Sequence, residues 1–416
     1  PEPGYNLILN LDINLQKTAS QLLINKFNEL RQEAEKDEEM TMPTGAGAVV
    51  LDADSGAVRA MTSIPNFDLN MFSGGIAQKD YMQLQNNPLD PLLNRNTMAA
   101  VPPGSIFKLV TGTAAIRYLD VDAETEFYDK NGKFYIPNWS KPFKNWNPYG
   151  EGKLDFTRAY ARSNNVVFYK LGYRLYKKFQ GEKLTKTARK YGLGENTGID
   201  LPNEKNGLVP DKAWKEKKFG EGWYPGDSVN LSIGQGGLLT TPLQLAVMVS
   251  SIANEGIRYQ PQLVDKITDA EGHIIKEIDP IIKEKLPFDP KTYDILHRGM
   301  FEVTNKNYGT AYSYFSDFPI KVAGKTGTAE TGRSNHGWFA GFAPADDPEI
   351  VVVVFLENGN SSSNAIPVAR GIFKDYFGLG KINPDENSSD YSQIIEKYTM
   401  ESNKLLEYFR SVFLKD

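Results

Sequence analysis

Residues 320–357 read IKVAGKTGTAETGRSNHGWFAGFAPADDPEIVVVVFLE and contain three β-rich runs. The runs are Ile320–Thr328, Gly337–Ala343 and Ile350–Glu357, and the links between them carry glycine, serine, asparagine, aspartate and proline, which favour turns. Parallel neighbours need a crossover of about a dozen residues or more, so links this short predict antiparallel strands.

Two further β-rich runs, Gly45–Asp52 and Ala57–Ser63, are joined by the turn Ala53–Gly56 and predict a hairpin near the start of the chain. Between this hairpin and the three later strands, residues 100–310 show mainly helical patterns. The sequence therefore predicts an α/β (α+β) fold. A five-stranded antiparallel sheet from both chain ends is flanked by helices, and a large helical lobe is inserted.

Helices are expected to flank the predicted sheet. Asp12 is a predicted N-cap for a helix that runs to about Lys36, and Asn364 is predicted to cap a helix over residues 365–377. The candidate helices of the lobe are 105–118, 155–162, 164–179, 183–191, 241–255 and 290–303. A turn-rich, aromatic stretch from Glu124 to Tyr149 interrupts them.

The domain organisation follows from these elements. We expect one domain over residues 1–380, with sheet parts 44–65 and 318–378 and the helical lobe at about 100–310. Residues 381–416 are expected to form a polar linker and a C-terminal amphipathic helix, because apolar side chains recur there at helical spacing. This helix either docks on its own domain or binds a partner.

Composition excludes several classes of protein. The 416 residues include 47 basic and 52 acidic ones, so the basic surplus typical of nucleic-acid-binding proteins is missing. There is no cysteine, which excludes thiol catalysis, iron–sulfur clusters and cysteine-based zinc sites. The histidines, His273, His297 and His336, share no metal-ligand spacing, so we expect no metal and no cofactor. Acid–base chemistry is then expected from lysine, aspartate or glutamate.

A membrane-spanning segment is not expected within the sequence. The longest apolar run, Ile350–Leu356, is far shorter than the roughly 20 residues of a membrane-spanning helix. No signal segment opens the chain. If the native protein has an anchor, we expect it to precede Pro1.

Ser105 and Lys108 form the first candidate catalytic pair. The preceding Val101–Gly104 contains two prolines and cannot be helical, so Ser105 is expected at the N-terminus of an apolar helix, with Lys108 one turn further on. Burial lowers the pKa of a lysine, and a neutral amine can take the proton of a serine hydroxyl. The alternative is a serine that caps the helix and a lysine that extends to solvent.

Lys325, Thr326, Gly327 and Thr328 form the second candidate site, at the end of a predicted strand. Lys325 supplies fixed positive charge, the two hydroxyls can bind a carboxylate, and Gly327 allows a ligand to approach the strand closely. An open strand edge there accepts an extended peptide. The alternative is an ordinary polar strand end.

The third candidate, Ser163-Asn164-Asn165, is expected at a turn between two helices. A buried Ser163 can relay a proton, and the amide of Asn165 can hold a substrate amide. Alone the pattern is weak, because Ser228-Val229-Asn230 and Ser362-Ser363-Asn364 also match it. The alternative is a buried pair that satisfies backbone groups.

The three motifs occur in the order found in active-site-serine penicillin-recognising enzymes. The chain resembles the transpeptidase domain of class B penicillin-binding proteins, over roughly residues 5–380. Further stretches carry the resemblance: Gly45–Val50, Asp54–Gly56, Thr197–Pro202, Gly234–Gly236 and Gly341–Pro344. Leu89–Arg95 and His336–Phe339 resemble the elongation (lateral-wall) subtype more than the division subtype.

The resemblance implies a role for each motif residue. Ser105 would attack the peptide carbonyl between two terminal D-alanines, with Lys108 as the base. Ser163 would pass a proton to the leaving amine, and Asn165 would hold the substrate amide. The N–H groups of Ser105 and Thr328 would form the oxyanion hole. Thr326 and Thr328 would bind the terminal carboxylate with Gly327 beside them, and Lys325 would be a catalytic residue that fixes the local charge.

The resemblance also implies partners and a location. The partners would be peptidoglycan stem peptides, β-lactams that acylate Ser105, and wall-elongation glycosyltransferase and scaffold proteins, with no nucleic acid. The catalytic domain would lie in the cell envelope, at the outer (periplasmic) face of the cytoplasmic membrane. Two rival functions remain open: a serine β-lactamase, and a non-catalytic β-lactam sensor or scaffold.

Overall fold

A computed structural model describes residues 4–332 and 334–380 of the chain. The linker and helix expected over residues 381–416 therefore lie outside the described residues. None of the helices in the described ranges combines the length and apolar character that a membrane span requires.

The helices of the described chain fall mainly in the expected places. They are α1 (Ile13–Ala34), α2 (Gln78–Gln85), α3 (Arg95–Met98), α4 (Lys108–Leu119), α5 (Phe156–Ala161), α6 (Asn165–Phe179), α7 (Glu182–Lys190), α8 (Lys212–Phe219), α9 (Pro225–Leu231), α10 (Pro242–Ala253), α11 (Pro290–Asn305), α12 (Tyr312–Phe315) and α13 (Ser362–Tyr376). Two 3-10 turns, Leu69–Phe72 and Gly104–Phe107, precede α2 and α4.

The strands form one large sheet and several small ones. They are β1 (Asn6–Leu9), β2 (Gly45–Asp52), β3 (Val58–Ile64), β4 (Phe127–Asp129), β5 (Lys133–Phe134), β6 (Phe143–Lys144), β7 (Gly152–Leu154), β8 (Ile257–Tyr259), β9 (Val264–Thr268), β10 (Ile274–Glu277), β11 (Ile282–Lys285), β12 (Ala323–Glu330), β13 (Asn335–Ala343) and β14 (Ile350–Glu357).

The large sheet has five strands in the order β12-β13-β14-β2-β3, and every neighbouring pair is antiparallel. The predicted fold class is thus confirmed, with strands from both ends of the described chain in one sheet. β12 is an edge strand, and its Thr328 lies opposite Gly337 of β13. The second candidate site therefore lies on an edge of the sheet.

The sheet separates two apolar cores. Along β14, Val351, Val353 and Phe355 belong to the core shared with α4 and α10, whereas Val352 and Val354 belong to the core shared with α1 and α13. Successive side chains of a strand point to opposite faces, so a continuous apolar run is what a strand covered on both faces requires. The sheet is consequently held between the inserted lobe and the two outer helices.

The predicted starts of two helices are wrong. Asn364 does not cap the last helix of the described chain, because the side chain of Ser361 accepts the N–H of Ser363 and α13 begins at Ser362. Serine is as good a cap as asparagine, so composition alone did not distinguish them. Ser105 lies in a 3-10 turn, and the α-helix itself begins only at Lys108.

The sequence did not predict the small sheets. β1, β9 and β10 form one three-stranded sheet, and β8 pairs with β11. Their strands have at most five residues, and register shifts interrupt three of their pairings. A strand this short carries too little alternation of apolar and polar residues to be recognised.

Candidate active site

The turn that carries Ser105 is packed against the sheet edge. Gly104 has a φ of 52°, and its N–H donates to Gly234 O at 3.2 Å. A Cβ atom on Gly104 would lie 2.6 Å from Thr328 O, so a glycine is needed both for the backbone conformation and for the close approach. The half-buried Ser105 therefore lies beside the strand that ends in Thr328.

Gly327 makes room for the same turn. A Cβ atom on Gly327 would lie 2.9 Å from Cγ1 of Ile106 and 3.1 Å from Pro103 O. On the opposite strand, the indole of Trp338 donates to Pro102 O at 3.2 Å. The close approach expected at Gly327 is thus made by the turn of Ser105. An approach by a ligand stays a prediction.

Lys108 is fully buried, as predicted. Its Nζ lies 2.7 Å from Ser163 O, 2.7 Å from Oδ1 of Asn165 and 3.3 Å from Oγ of Ser163. Burial, together with the charge of Lys325, holds the pKa of Lys108 well below that of a free lysine, and the opposing effect of Glu151 is smaller. A neutral Lys108 can donate its two N–H groups to the two nearer oxygens and keeps a lone pair for a proton.

Ser163 lies between two lysines. Its Oγ accepts a hydrogen bond from Lys325 Nζ at 2.9 Å, in addition to the contact with Lys108. The residue has a φ of 51°, a left-handed conformation that is uncommon for serine. Asn164 caps the helix that follows by accepting the N–H of Val167. This strained turn is what directs a buried hydroxyl between the two amines.

Lys325 connects the sheet to this turn. It is fully buried on β12, and its Nζ also donates to Thr326 O at 3.0 Å. Burial lowers the pKa of Lys325 to about 7. Burial therefore opposes the fixed positive charge that the sequence predicts for Lys325, and that charge stays a prediction.

The two threonine hydroxyls already have protein partners. Oγ1 of Thr326 lies 2.8 Å from Oγ1 of Thr310, and the side chain is buried. Oγ1 of the exposed Thr328 accepts the N–H of Ser362 at 3.2 Å. A hydroxyl that accepts one hydrogen bond can still donate one. Thr328 thus keeps a donor for an anion.

The hydrogen bonds of the β12 main chain show which of its N–H and C=O groups point away from β13. The N–H of Thr331 donates to Ser334 O on the side of β13 at 2.9 Å. The N–H and C=O of Glu330 pair instead with the side-chain amide of Gln235, at 3.1 and 3.2 Å, once this amide is assigned the orientation that satisfies both groups. In an antiparallel strand, the N–H and C=O of one residue point to the same side, and this side alternates from each residue to the next. The N–H and C=O of Thr328, two residues before Glu330, therefore point to the same outer edge as those of Glu330.

The sequence did not predict a second layer of polar residues behind Ser163. Nδ2 of Asn164 donates to Asp129 at 2.7 Å and to Glu151 at 2.8 Å. Asn145 donates to the same Asp129 oxygen at 3.1 Å and accepts the N–H of Asn165 at 2.9 Å. The stretch from β4 to β7 thereby holds the start of α6.

One group of possible metal ligands lies away from these motifs. Asp269, Glu271 and His273 come together on an exposed turn between β9 and β10. The carboxylate of Asp269 accepts both the backbone N–H of His273 and a hydrogen bond with its Nδ1, at 2.8 and 2.9 Å. The hydrogen bonds within the turn thus account for this cluster.

Comparison with known proteins identifies the family. The model of the penicillin-binding protein transpeptidase domain matches residues 46–378. The peptidoglycan D,D-transpeptidase MrdA of Escherichia coli is 31% identical over 401 residues, which cover 92% of this chain and 59% of that protein. The chain thus spans about three fifths of the length of that relative.

Solved structures agree with this assignment. Pseudomonas aeruginosa PBP2 in complex with WCK 5153 superimposes with a TM-score of 0.76 at 31% identity, covering 93% of this chain and 81% of that one. Helicobacter pylori PBP2, in its complex with MreC, gives a TM-score of 0.77 at 32% identity, covering 90% and 64%. These relatives confirm the predicted resemblance, including its elongation subtype. The chain belongs to the penicillin-binding protein transpeptidase family.

Proposed function

We propose that the chain is a peptidoglycan D,D-transpeptidase that cross-links stem peptides through an acyl-enzyme on Ser105 and releases D-alanine. One observation carries the proposal. The buried amine of Lys108, one turn after Ser105, meets the Ser163 turn at 2.7 Å, and Lys325 reaches the Ser163 hydroxyl from the strand. Three distant motifs thus meet around one hydroxyl.

In the acylation step, the lone pair of Lys108 takes the proton of the Ser105 hydroxyl. The Ser105 oxygen then forms a bond to the carbonyl carbon of the penultimate D-alanine. The negative charge on the carbonyl oxygen is met by the N–H groups of Ser105 and Thr328. Support comes from the outward-facing main chain of Thr328 beside the Ser105 turn. Each such donor stabilises the transition state by about 3–4 kcal/mol.

Breakdown of the tetrahedral intermediate needs a proton on the leaving amine. Lys108, now protonated, passes a proton through the Ser163 hydroxyl, the carbon–nitrogen bond breaks, and D-alanine leaves. The 3.3 Å contact between Lys108 Nζ and Ser163 Oγ supports this relay. An amine of a second stem peptide then attacks the ester carbon. Its proton passes through Ser163 and Lys108 to the Ser105 oxygen, and the bond between that oxygen and the acyl carbon breaks.

Substrate binding uses the remaining motif residues. Nδ2 of Asn165 makes a long contact of 3.4 Å to Lys144 O and has a second N–H for the substrate amide. The free donor of Thr328 and the partly charged Lys325 would bind the terminal carboxylate, with Thr326 and Gly327 beside them.

The proposal extends to a location and partners. We place this domain, residues 1–380, at the outer face of the cytoplasmic membrane, with wall-elongation glycosyltransferase and scaffold proteins as partners. The solved complex of Helicobacter pylori PBP2 with MreC supports a scaffold partner. A solved structure described as a peptidoglycan synthase complex, 31% identical over 91% of this chain, supports a glycosyltransferase partner.

A transpeptidation assay tests the proposal. The protein is incubated with a stem pentapeptide and an acceptor amine, and D-alanine and cross-linked peptide are measured by mass spectrometry. We expect both products from the natural protein and neither from Ser105→Ala. Cross-linking that survives in Ser105→Ala would exclude Ser105 as the nucleophile.

The lifetime of the penicillin adduct tests the rival functions. A transpeptidase keeps the penicilloyl group for hours, whereas a β-lactamase releases it within seconds. A β-lactamase needs a group that activates water. Glu151 is a carboxylate near the site, but it already accepts hydrogen bonds from Asn164 and Arg162. A stable adduct without any cross-linking would indicate a sensor.

A further inference from the structure

Two adjacent loop residues, Gly234 and Gln235, hold the two elements that flank the proposed oxyanion site. Gly234 O accepts the N–H of Gly104 at 3.2 Å, in the turn of Ser105. The side-chain amide of Gln235, assigned the orientation that satisfies both groups, donates to Glu330 O at 3.2 Å and accepts from Glu330 N at 3.1 Å, on the edge of β12. The loop therefore bridges the nucleophile turn and the strand.

The loop itself is anchored. Gly234 N donates to Leu231 O at 2.9 Å and Gln235 N donates to Asn230 O at 3.1 Å, at the end of α9. Oγ1 of Thr111, on α4, donates to Ser232 O at 2.8 Å. A side chain that extends from such a loop has a defined position. Gln235 can therefore restrain the strand it contacts.

The contact at Gly234 leaves no space for adjustment. Gly234 has a φ of 77°, and a Cβ atom there would lie 2.0 Å from Gly104 O. The loop backbone and the Ser105 turn are thus in direct contact. A shift of the strand edge relative to the loop becomes a shift relative to Ser105.

We propose that Gln235 is a positioning residue that sets the distance between the N–H groups of Ser105 and Thr328. This inference rests on the proposed function, since it concerns the oxyanion site of that reaction. The amide of Gln235 imitates one residue of a neighbouring strand, because it pairs with both the N–H and the C=O of Glu330. Thr328, two residues earlier on the same edge, is held with it.

The reason for such a restraint is geometric. Oxyanion donors act when they lie about 2.7–3.1 Å from the position of the developing charge. The two donors belong to separate elements, a helical turn and an edge strand. An edge strand lacks a neighbour on one side, so its outer main chain is free to move unless something pairs with it. Gln235 supplies that pairing at Glu330, two residues after the Thr328 N–H.

Gln235→Leu is the direct test, since leucine has a similar size but makes neither hydrogen bond. A misplacement of about 1 Å costs about 100-fold in rate, so we expect the rate constant of acylation by penicillin to fall by about 10-fold to 100-fold. The dissociation constant of the complex before acylation should change less than about threefold. Gln21→Leu, which removes an exposed hydrogen bond on α1 beyond the sheet, is the control and should leave both values unchanged.

Gln235→Glu gives a second readout that a merely structural role would not move. A protonated carboxyl group can donate to Glu330 O and accept from Glu330 N, whereas a carboxylate only accepts and repels the carbonyl oxygen. We expect the acylation rate of Gln235→Glu, divided by that of the natural protein, to rise at least threefold between pH 8 and pH 5. Dividing by the rate of the natural protein removes the pH dependence that the two proteins have in common.

The outcomes separate this inference from the proposed function. Acylation of Ser105→Ala would overturn the proposed function whatever Gln235 does. Acylation at Ser105 in the natural protein, with an unchanged rate in Gln235→Leu, would overturn this inference alone. If Gln235→Leu does not fold, the rate ratio of Gln235→Glu decides, and a ratio that does not change with pH contradicts the inference.

Discussion

Lys325 Nζ donates a 2.9 Å hydrogen bond to Ser163 Oγ, although 162 residues separate the two in sequence. One residue belongs to the edge of the sheet and the other to the inserted lobe, so this contact joins the two halves of the site. Both residues are buried, and Lys108 approaches the same hydroxyl. Two amines so close together and so little hydrated favour their neutral forms.

The pKa of Lys325 predicts how stability changes with pH. The folded value is about 7, whereas an unfolded lysine titrates near 10.4, so the folded chain binds fewer protons between these values. Stability therefore rises with pH across that window, by up to about 1.4 kcal/mol per pH unit for one group. Below about pH 7 this contribution is constant, because both states are protonated.

Lys325→Met should remove this contribution. Urea unfolding at pH 7, 8, 9 and 10 measures the free energy of unfolding of both proteins. We expect the natural protein to gain stability relative to Lys325→Met at each step. Lys17→Met, at an exposed position on α1, is the control. A difference between the two proteins that stays constant with pH would contradict the burial argument.

Ser163→Ala should slow acylation while the fold is kept. The variant removes the hydroxyl that connects Lys108 and Lys325, and proton transfer by a positioned group contributes about 100-fold or more. The backbone contact from Lys108 to Ser163 O remains, so the turn itself is retained. The rate constant of penicillin acylation and the melting temperature measure the two effects. Acylation at the natural rate would remove Ser163 from the relay.

Asp129→Asn should destabilise the protein. Asp129 is fully buried; one carboxylate oxygen accepts hydrogen bonds from the amides of Asn145 and Asn164, and the other accepts the N–H of Gly132 at 2.8 Å. An asparagine there cannot accept at both oxygens, and an unsatisfied buried donor costs about 1–3 kcal/mol. Urea unfolding measures the loss. Asp269→Asn, on the exposed turn, is the control, and equal effects of the two substitutions would argue against the buried network.

Gly327→Ala should disturb the Ser105 turn. The added methyl group would lie 2.9 Å from Cγ1 of Ile106, so the turn or the strand must shift. We expect acylation to fall by about tenfold or more, since small misplacements of reacting groups are costly. Gly222→Ala has no atom within 4 Å and serves as the control. If penicillin acylates Gly327→Ala and Gly222→Ala at the rate of the natural protein, the prediction is wrong.

The sequence predicts which elements carry the site residues, but it does not predict the hydrogen bonds and charge states inside the site. The spacing of the strand-like runs predicts the five-stranded sheet, and the three motifs predict the site residues Ser105, Lys108, Ser163 and Lys325. Asp129 and Glu151 lie in the irregular stretch between α4 and α5, where no periodic pattern predicts their hydrogen bonds to Asn164. The charge state of Lys325 depends on how deeply it is buried, which strand pattern alone does not give.

The central claim is that Ser105 is the nucleophile and Lys108 its base. The most direct measurement is the time course of intact mass after brief exposure to penicillin, with peptide mapping, for the natural protein and for Lys108→Ala. We predict one penicilloyl group on Ser105 in the natural protein and an acylation rate at least about 100-fold lower in Lys108→Ala. An adduct on another residue, or an equal rate in Lys108→Ala, would contradict the account.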